Sequence, residues 1–393
     1  MGVVFGTPDE DSCPLDVSRE VSEATLDFSL KLYKAVAKYH NNQFVLAPYS
    51  IWMTLAAIAE GASESAQEKL FNALKLPKKL CVRQSYYKTM KKHERLRSDM
   101  ELYRTRLLGF DESLHLNETW SSEVHDAGLL DTVSLPIFSD PELAIERLNN
   151  YSMSSLNDIK LKTKSVLVDS LDYAGIWSVA FPNALIEYDA PFYNDDGKII
   201  GKVDYIHIKR RMKFGYWPDI KMKAVEIPVD KDGHYSLLFF LTTDSLPVAH
   251  SVSLLTKTIL DDILANLRQS LVPIRVALPR FKIASHHDDM QIVLEQIGLS
   301  GLFKDPAASE LVSDPPAMPS AYIQHVSVNI DIEAEDYHEE VEEASDFETG
   351  WAKEAGRTFY VNRPFVFAFF NNRSKATFFS GAYSQPSYKY KYT

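Results

Sequence analysis

Near its C-terminus this chain carries a segment that cannot be buried, set between two runs that read as strands. Ten of the eighteen residues from Asp331 to Glu348 are Asp or Glu, and none is Lys or Arg. Ahead of them "YIQHVSVNID" alternates like a strand, and behind them "RTFYVNRPFVFAFF" is strand-like again. An unpaired carboxylate in a protein interior costs several kcal/mol or must take up a proton. The connection must therefore stay in water while the strands on either side of it enter a core.

The rest of the chain predicts what those strands join. Val17, Val21, Ala24, Phe28, Leu32, Ala35 and Tyr39 recur at spacings of three and four, an amphipathic helix over Val17–Tyr39. Helices are also expected over Ser50–Ala59, stopped by Gly61, and in "SAQEKLFNALKLP", stopped by Pro77. The first third reads as helical. From residue 165, strand signals take over in "SVLVDSLDYAGIW", "GKVDYIHI", "MKAVEIPV" and "HYSLLFFLTT". A helix over Leu254–Leu271, an extended "VPIRVALPRFKI" and a helix in "DDMQIVLEQIG" complete the pattern. Helices first and strands later, with no linker or repeat between them, predict one α+β domain over residues 1–393.

Charge and motifs exclude several functions. A net charge of −12 argues against nucleic acid or membrane as a general partner. No apolar run approaches the roughly 20 residues that span a bilayer. The opening "MGVVFGTPDEDS" lacks the basic and apolar regions of a signal peptide, so either the protein stays in the cell or a leader has been removed. Cys13 and Cys81 are expected to be free thiols. Sequons at Asn117, Asn150 and Asn372 lean towards a secreted glycoprotein.

The chain has no GxSxG, HExxH, CxxC, P-loop or GxGxxG, so an enzyme is not expected, nor is a cofactor. "SHHDD" (Ser285–Asp289) reads as a helix N-terminus rather than a metal cluster, and "DKDGH" (Asp230–His234) as a hairpin turn rather than a calcium loop. No metal site is expected.

One basic segment stands out in this acidic chain: eleven Lys or Arg against three acids from Lys75 to Arg106. Lys88, Lys91, Lys92 and Arg95 follow the spacing that lines one helix face, suited to a heparin-like sulfated or phosphorylated polymer. The alternative is a solvated helix face that balances the acidic stretch.

Four separated motifs, in order, resemble those of the serpins. They are "NQFVLAPYSIWMTLAAIAEGASESAQEKL", "SVLVDSLDYAGIWSVAF", "LPRFKIASHHDDMQIVLEQIGLSGLF" and "RPFVFAFFNNRSKATFFSGAYSQP". Pro364-Phe365 opens a buried run, and Gly381 sits where a strand needs close backbone approach. The resemblance implies three β-sheets, a large central mixed one among them, surrounded by eight or nine helices. It also implies a monomer with an exposed reactive loop, residues 333–358 with its hinge. In inhibitory members a protease cleaves that loop, which then inserts as a new strand in the central sheet and traps the acyl-enzyme. Such a hinge carries a Gly followed by small residues, because alternate side chains enter the core.

Here the hinge departs from that pattern. It reads Glu333, Ala334, Glu335, Asp336, Tyr337, His338, Glu339, Glu340. Either Gln324 or His325 takes the family's strand histidine, and Ala334 or Glu335 correspondingly the hinge glycine. Inward positions are then Glu335, Tyr337, Glu339 and Val341, or Asp336, His338, Glu340 and Glu342. Beneath the sheet Ala47 replaces the family's first Ser, Ser50 is kept, and Asp169 replaces an Asn; Trp177, where insertion starts, is retained. The interval from Asn149 to Asp169 is also about eight residues shorter than the family pattern.

Together these departures imply a non-inhibitory member that binds a protein partner, a ligand or a polyanion; the sequons lean towards secretion, and a cytoplasmic member is the alternative location. The alternative function is a suicide-substrate inhibitor of a serine or cysteine endopeptidase. Its scissile residue would then be Glu348, Lys353 or Arg357, the two basic ones suiting a trypsin-like pocket.

Overall fold

A computed structural model describes residues 13, 16–94, 102–152, 163–174, 185–230, 232–243, 246–303, 312–314, 319, 321–330 and 358–386. The predicted amphipathic helix forms as α1 (Ser18–Ala37) and buries Val21, Ala24, Phe28, Leu32 and Ala35. β1 (Phe44–Leu46) leads into α2 (Pro48–Glu60), which opens on its proline, where the missing N–H costs nothing. α3 (Glu64–Leu74) and α4 (Leu80–His93) follow.

The chain next forms β2 (Leu102–Asp111), β3 (His115–Leu116), α5 (Glu118–Asp126), β4 (Asp131–Leu135), α6 (Pro141–Ser152) and β5 (Ser165–Ala174). β2 lies in the third that reads as helical. It is covered on both faces, which blurs the alternation that marks a strand.

Then come β6 (Leu185–Tyr193), β7 (Ile199–Arg210), β8 (Lys213–Trp217), β9 (Met222–Pro228) and β10 (Tyr235–Thr242). The helix expected over Leu254–Leu271 is broken. α7 (Val248–Leu254) ends there, and α8 (Lys257–Asn266) starts where Thr256 Oγ1 accepts from Ile259 N at 3.2 Å. β11 (Arg268–Gln269), β12 (Ile274–Pro279) and β13 (Phe281–His287) follow, so Ser285–His287 end a strand and not a helix N-terminus; α9 (Met290–Leu294) begins after Asp289. β14 (Val312–Asp314), β15 (Ala321–Ile330), β16 (Thr358–Tyr360), β17 (Phe365–Asn371) and β18 (Thr377–Tyr383) close the described chain.

The strands make three large sheets, with nine α-helices among the described residues. A seven-stranded antiparallel sheet runs β1-β18-β17-β10-β9-β8-β11, and a four-stranded one runs β16-β12-β7-β6. The mixed sheet has five strands, β13-β15-β5-β2-β4, parallel at β15–β5 and at β2–β4. A two-stranded ladder, β14-β3, lies apart.

The main core fills the space among α1, α2, the mixed sheet and the seven-stranded sheet. α6 packs on the other face of the mixed sheet over a smaller cluster that includes Leu107, Leu148, Val166 and Val168. Gly381 meets its expectation, since a Cβ there would stand 2.3 Å from Phe44 O on the neighbouring strand. The cysteines do not. Folding brings the Cα atoms of Cys13 and Cys81 to 6.2 Å, and the pair forms a disulfide that ties the segment before α1 to the first turn of α4.

Candidate functional site

The chain leaves the mixed sheet at Ile330, the end of β15, and re-enters the described structure at Thr358 in β16. The hinge residues Glu333 to Glu340 and the candidate scissile residues Glu348, Lys353 and Arg357 lie outside the described residues, as do Trp177 and Arg95. What is described is the place such a segment would have to enter. β15 pairs antiparallel with β13 from Phe281↔Ile330 to His287↔Gln324, and parallel with β5 over nine pairs from Ala321↔Val166 to Asn329↔Ala174. A chain that turned back from Ile330 would run antiparallel to β15. Laid into the β15–β5 seam, it would be antiparallel to both neighbours and replace the weaker, parallel pairing. Here the seam is closed.

Strand alternation decides the register that the sequence leaves open. Gln324 faces the core, completely buried. Its Oε1 accepts from Ala47 N at 3.0 Å and its Nε2 donates to Ala47 O at 3.1 Å, so the side chain holds the start of α2 through both backbone groups. His325 faces the opposite side and stacks on His286 with ring centroids 4.2 Å apart. The core position of the strand is therefore Gln324's. The adjacent His286 and His287 also diverge: His287 turns inward, its Nε2 2.8 Å from Val45 O, and burial pushes its pKa down to about 4.

Asp169 is the register partner of Gln324 across the seam and is fully buried. Burial pushes its carboxyl up to about 7, against the opposing pull of Ser50, Arg106, Tyr322 and Gln324. Tyr322 Oη donates to its Oδ2 at 3.3 Å. On its other side Asp169 pairs in register with Arg106, but that guanidinium is committed elsewhere. Arg106 holds Glu94 in a bidentate pair at 2.6 and 3.0 Å and donates from Nε to Leu129 O at 2.8 Å. Arg104 Nη2 reaches the same Glu94 at 3.0 Å. Two arginines thus serve one buried glutamate, and Asp169 beside them is left to titrate. Of the residues that the sequence singles out, Ala47, Asp169 and Gln324 come together here, whereas nothing in their spacing points to Glu94, Arg106 or Tyr322 as their neighbours. The "RTR" of β2 was the signal: two cations at strand spacing inside a hydrophobic run.

The basic stripe is partly in view. Lys88, Lys91 and Lys92 are exposed on α4, and Lys91 Nζ donates to Asp126 O at 2.8 Å. The sequence could not show that Arg373, exposed in the β17–β18 turn, lies close to the end of α4. There burial, then Lys92 and Arg373, push His93 down to about 4.

Of the sequon residues, Asn117 Oδ1 caps α5 by accepting from Trp120 N at 3.1 Å, and Asn150 is exposed on α6. Asn372 Nδ2 donates to Gly233 O at 2.7 Å and Ser236 Oγ at 2.8 Å, so a glycan there would displace one of these bonds. Both oxygens of Asp230 accept hydrogen bonds within its own turn, from Tyr235 N and His234 N, consistent with a hairpin. An apolar pocket between α1 and α8, lined by Leu30, Tyr33, Leu260, Leu264 and Phe370, offers about 70 Å³.

The family model "Serpin (serine protease inhibitor)" matches residues 23–386. Serpin A3-7 of Bos taurus is 22% identical over 398 residues, covering 97% of this chain and 92% of that protein. Among solved structures, mouse protein-Z dependent protease inhibitor superposes with a TM-score of 0.79 at 19% identity, covering 95% of this chain and 99% of the other. Native protease nexin-1 with heparin superposes with a TM-score of 0.76 at 18% identity, covering 93% and 99%. With its motifs in order, its three sheets in place and a family match from the first helix to the last strand, this chain belongs to the serpin family.

Proposed function

We propose that this chain is a secreted, non-inhibitory serpin that acts by binding a partner or polyanion instead of trapping a protease. The observation that carries the reading is the core-facing position of Gln324 on β15. With Gln324 in the place of the family's strand histidine, the family pattern assigns Ala334 to the hinge glycine, and Glu335, Tyr337, Glu339 and Val341 to the inward side of any inserted strand. Two carboxylates would then enter a sheet that already holds Asp169 as a buried carboxyl with its pKa raised to about 7. The low dielectric that raises Asp169 would penalise each newcomer, and Arg106 is already engaged with Glu94.

The test is to nick residues 331–357 with a broad-specificity protease and compare thermal unfolding before and after. An unchanged midpoint is expected, whereas a large rise would mean that the loop inserts and would sink the reading.

A second reading, a suicide-substrate inhibitor cut after Glu348, Lys353 or Arg357, is favoured by the parallel β15–β5 seam, which an inserted strand would convert to antiparallel pairing. An SDS-stable covalent complex with any endopeptidase would establish it.

Among ligands for the non-inhibitory reading, a heparin-like polyanion is preferred to a small molecule. The α1–α8 pocket, about 70 Å³, falls short of the roughly 300 Å³ where ligand pockets begin, and the larger cleft beside β2 and α5, about 1090 Å³, takes Lys91 of the basic stripe into its lining. Lys88, Lys91 and Lys92, with Arg373 close to the end of α4, supply the cations, and Arg95 adds a fourth to the stripe in sequence. Neutralising all five should abolish salt-sensitive retention on a sulfated-polysaccharide column; unchanged retention would reject the site. The Cys13–Cys81 disulfide supports secretion, because such bonds persist in oxidising compartments.

A further inference from the structure

On the face of the mixed sheet turned away from Gln324, two imidazoles meet from strands distant in sequence. His286 on β13 is the register partner of His325 on β15. Their rings lie face to face, with centroids 4.2 Å apart and planes within 7° of parallel. His325 is half-buried, and its Nδ1 is buried without a hydrogen-bond partner. His286 is exposed, so one side of the pair is open to water. Neither ring has a hydrogen-bond or ion-pair partner among the described residues. Burial, then His286, hold the pKa of His325 below the usual imidazole range against the pull of Asp172. The ring is therefore neutral at physiological pH, with a nitrogen lone pair available. Asp172 shares this face of the sheet, because β5 sends Leu167 and Leu171 into the main core and Val166 and Val168 into the outer cluster. It is the diagonal neighbour of His325 across the seam, since His325 pairs with Ser170 and Asp172 with Ser327. Asp172 too has no ion-pair partner among the described residues.

We propose that His286 and His325 together bind a divalent transition-metal ion of the zinc class, with Asp172 adding negative charge and water completing the shell. Imidazole suits such ions, and each nitrogen would stand roughly 2.0–2.1 Å from the metal. Two ligands at a tetrahedral angle are then roughly 3.3 Å apart, so a small tilt of the stacked rings seats the ion. It would also give the buried Nδ1 of His325 a partner, which a buried polar atom otherwise lacks at a cost. His287, next in sequence, turns inward to Val45 O and takes no part. The ligands come from two strands, so the ion would bridge β13 and β15, bind the folded sheet alone and stabilise it. A rival group exists in the β9–β10 turn, where ligand atoms of Asp230, Asp232 and His234 lie within 4.8 Å of one another. There, however, both oxygens of Asp230 already accept backbone hydrogen bonds. The stacked imidazoles have no such commitments. The proposal is independent of whether the hinge inserts.

The full chain is titrated with zinc chloride by calorimetry, and its thermal unfolding is followed with and without the metal. Binding and a raised midpoint are expected. Outer-shell partners of a metal are worth roughly 10- to 100-fold in affinity, so His286→Ala and His325→Ala should each weaken binding at least that much. His234→Ala should leave it unchanged. Both imidazoles lie on the outer face of the sheet, so a nearly unchanged midpoint in the absence of metal controls for folding. Failure to bind zinc overturns the proposal, as does binding that survives His286→Ala and His325→Ala. Loss of binding in His234→Ala alone would overturn it too, and would place the ion in the β9–β10 turn.

Discussion

The seven-stranded and five-stranded sheets share one core yet are held together differently. The antiparallel sheet is a nearly continuous apolar layer. β10 and β18 are buried along their whole length, Phe369 stacks on Phe379 at 5.1 Å, and Gly381 lets β1 close on β18. The mixed sheet places Arg106, Asp169 and Gln324 side by side across three neighbouring strands, with Glu94 and Tyr322 beneath, and one of its joints is the parallel seam. Aromatic packing is insensitive to pH, whereas a buried ionic layer is held by geometry and by proton occupancy. The first sheet is built to stay shut, and the second is where a change of charge will be felt.

The largest effects should separate the two. Arg106→Ala strands Glu94 without its bidentate partner and should cost about 3–5 kcal/mol in denaturant unfolding, much of it restored by adding Glu94→Gln. Phe367→Ala should cost a similar amount, about 3–5 kcal/mol, through the cavity it leaves in the antiparallel sheet. No charge-neutralising second substitution should rescue it. Equal rescue of both variants would collapse the contrast.

Next in size is Asp169→Asn. The folded carboxyl keeps its proton up to about pH 7, while the unfolded one releases it near 3.8. The site's contribution to stability is therefore complete below about pH 4 and is lost as pH rises through 7. The amide cannot ionise, so the variant should be more stable than the parent at pH 8, by about 1–4 kcal/mol, and indistinguishable from it at the acid end. A stability difference that does not change with pH would show that Asp169 does not titrate as described.

The smallest contrast tests the facing of β15. Gln324→Ala should cost about 1–3 kcal/mol, since Ala47 N and O lose their partner in a dry site. His325→Ala, on the other face, should stay within about 1 kcal/mol. The reverse ranking would move the hinge register by one residue and with it the set of side chains an inserted strand must bury.

Much of the fold was legible because its signals are local. The apolar stripe of α1, the proline that opens α2, the strands from residue 165 onward and the glycine at 381 follow from side-chain spacing and backbone sterics. β2 was hidden because a strand covered on both faces loses its alternation, and the helix over Leu254–Leu271 was overdrawn because Thr256 restarts it. At the candidate site, residue types were readable but their partners were not. Gln324 and His325 are adjacent, and either could face inward until β13 and β5 define the faces of the sheet.

By itself the sequence determined the family and the run of acids, without a row of small residues, between β15 and β16, because each rests on residue identity at a known spacing. Only the tertiary structure decided that Gln324 faces the core, that two arginines share Glu94 and leave Asp169 to titrate, and that Cys13 meets Cys81. It also brought Arg373 to the end of α4. Those outcomes depend on which distant segments touch, and desolvation and charge pairing act on contacts in space, whatever the separation along the chain.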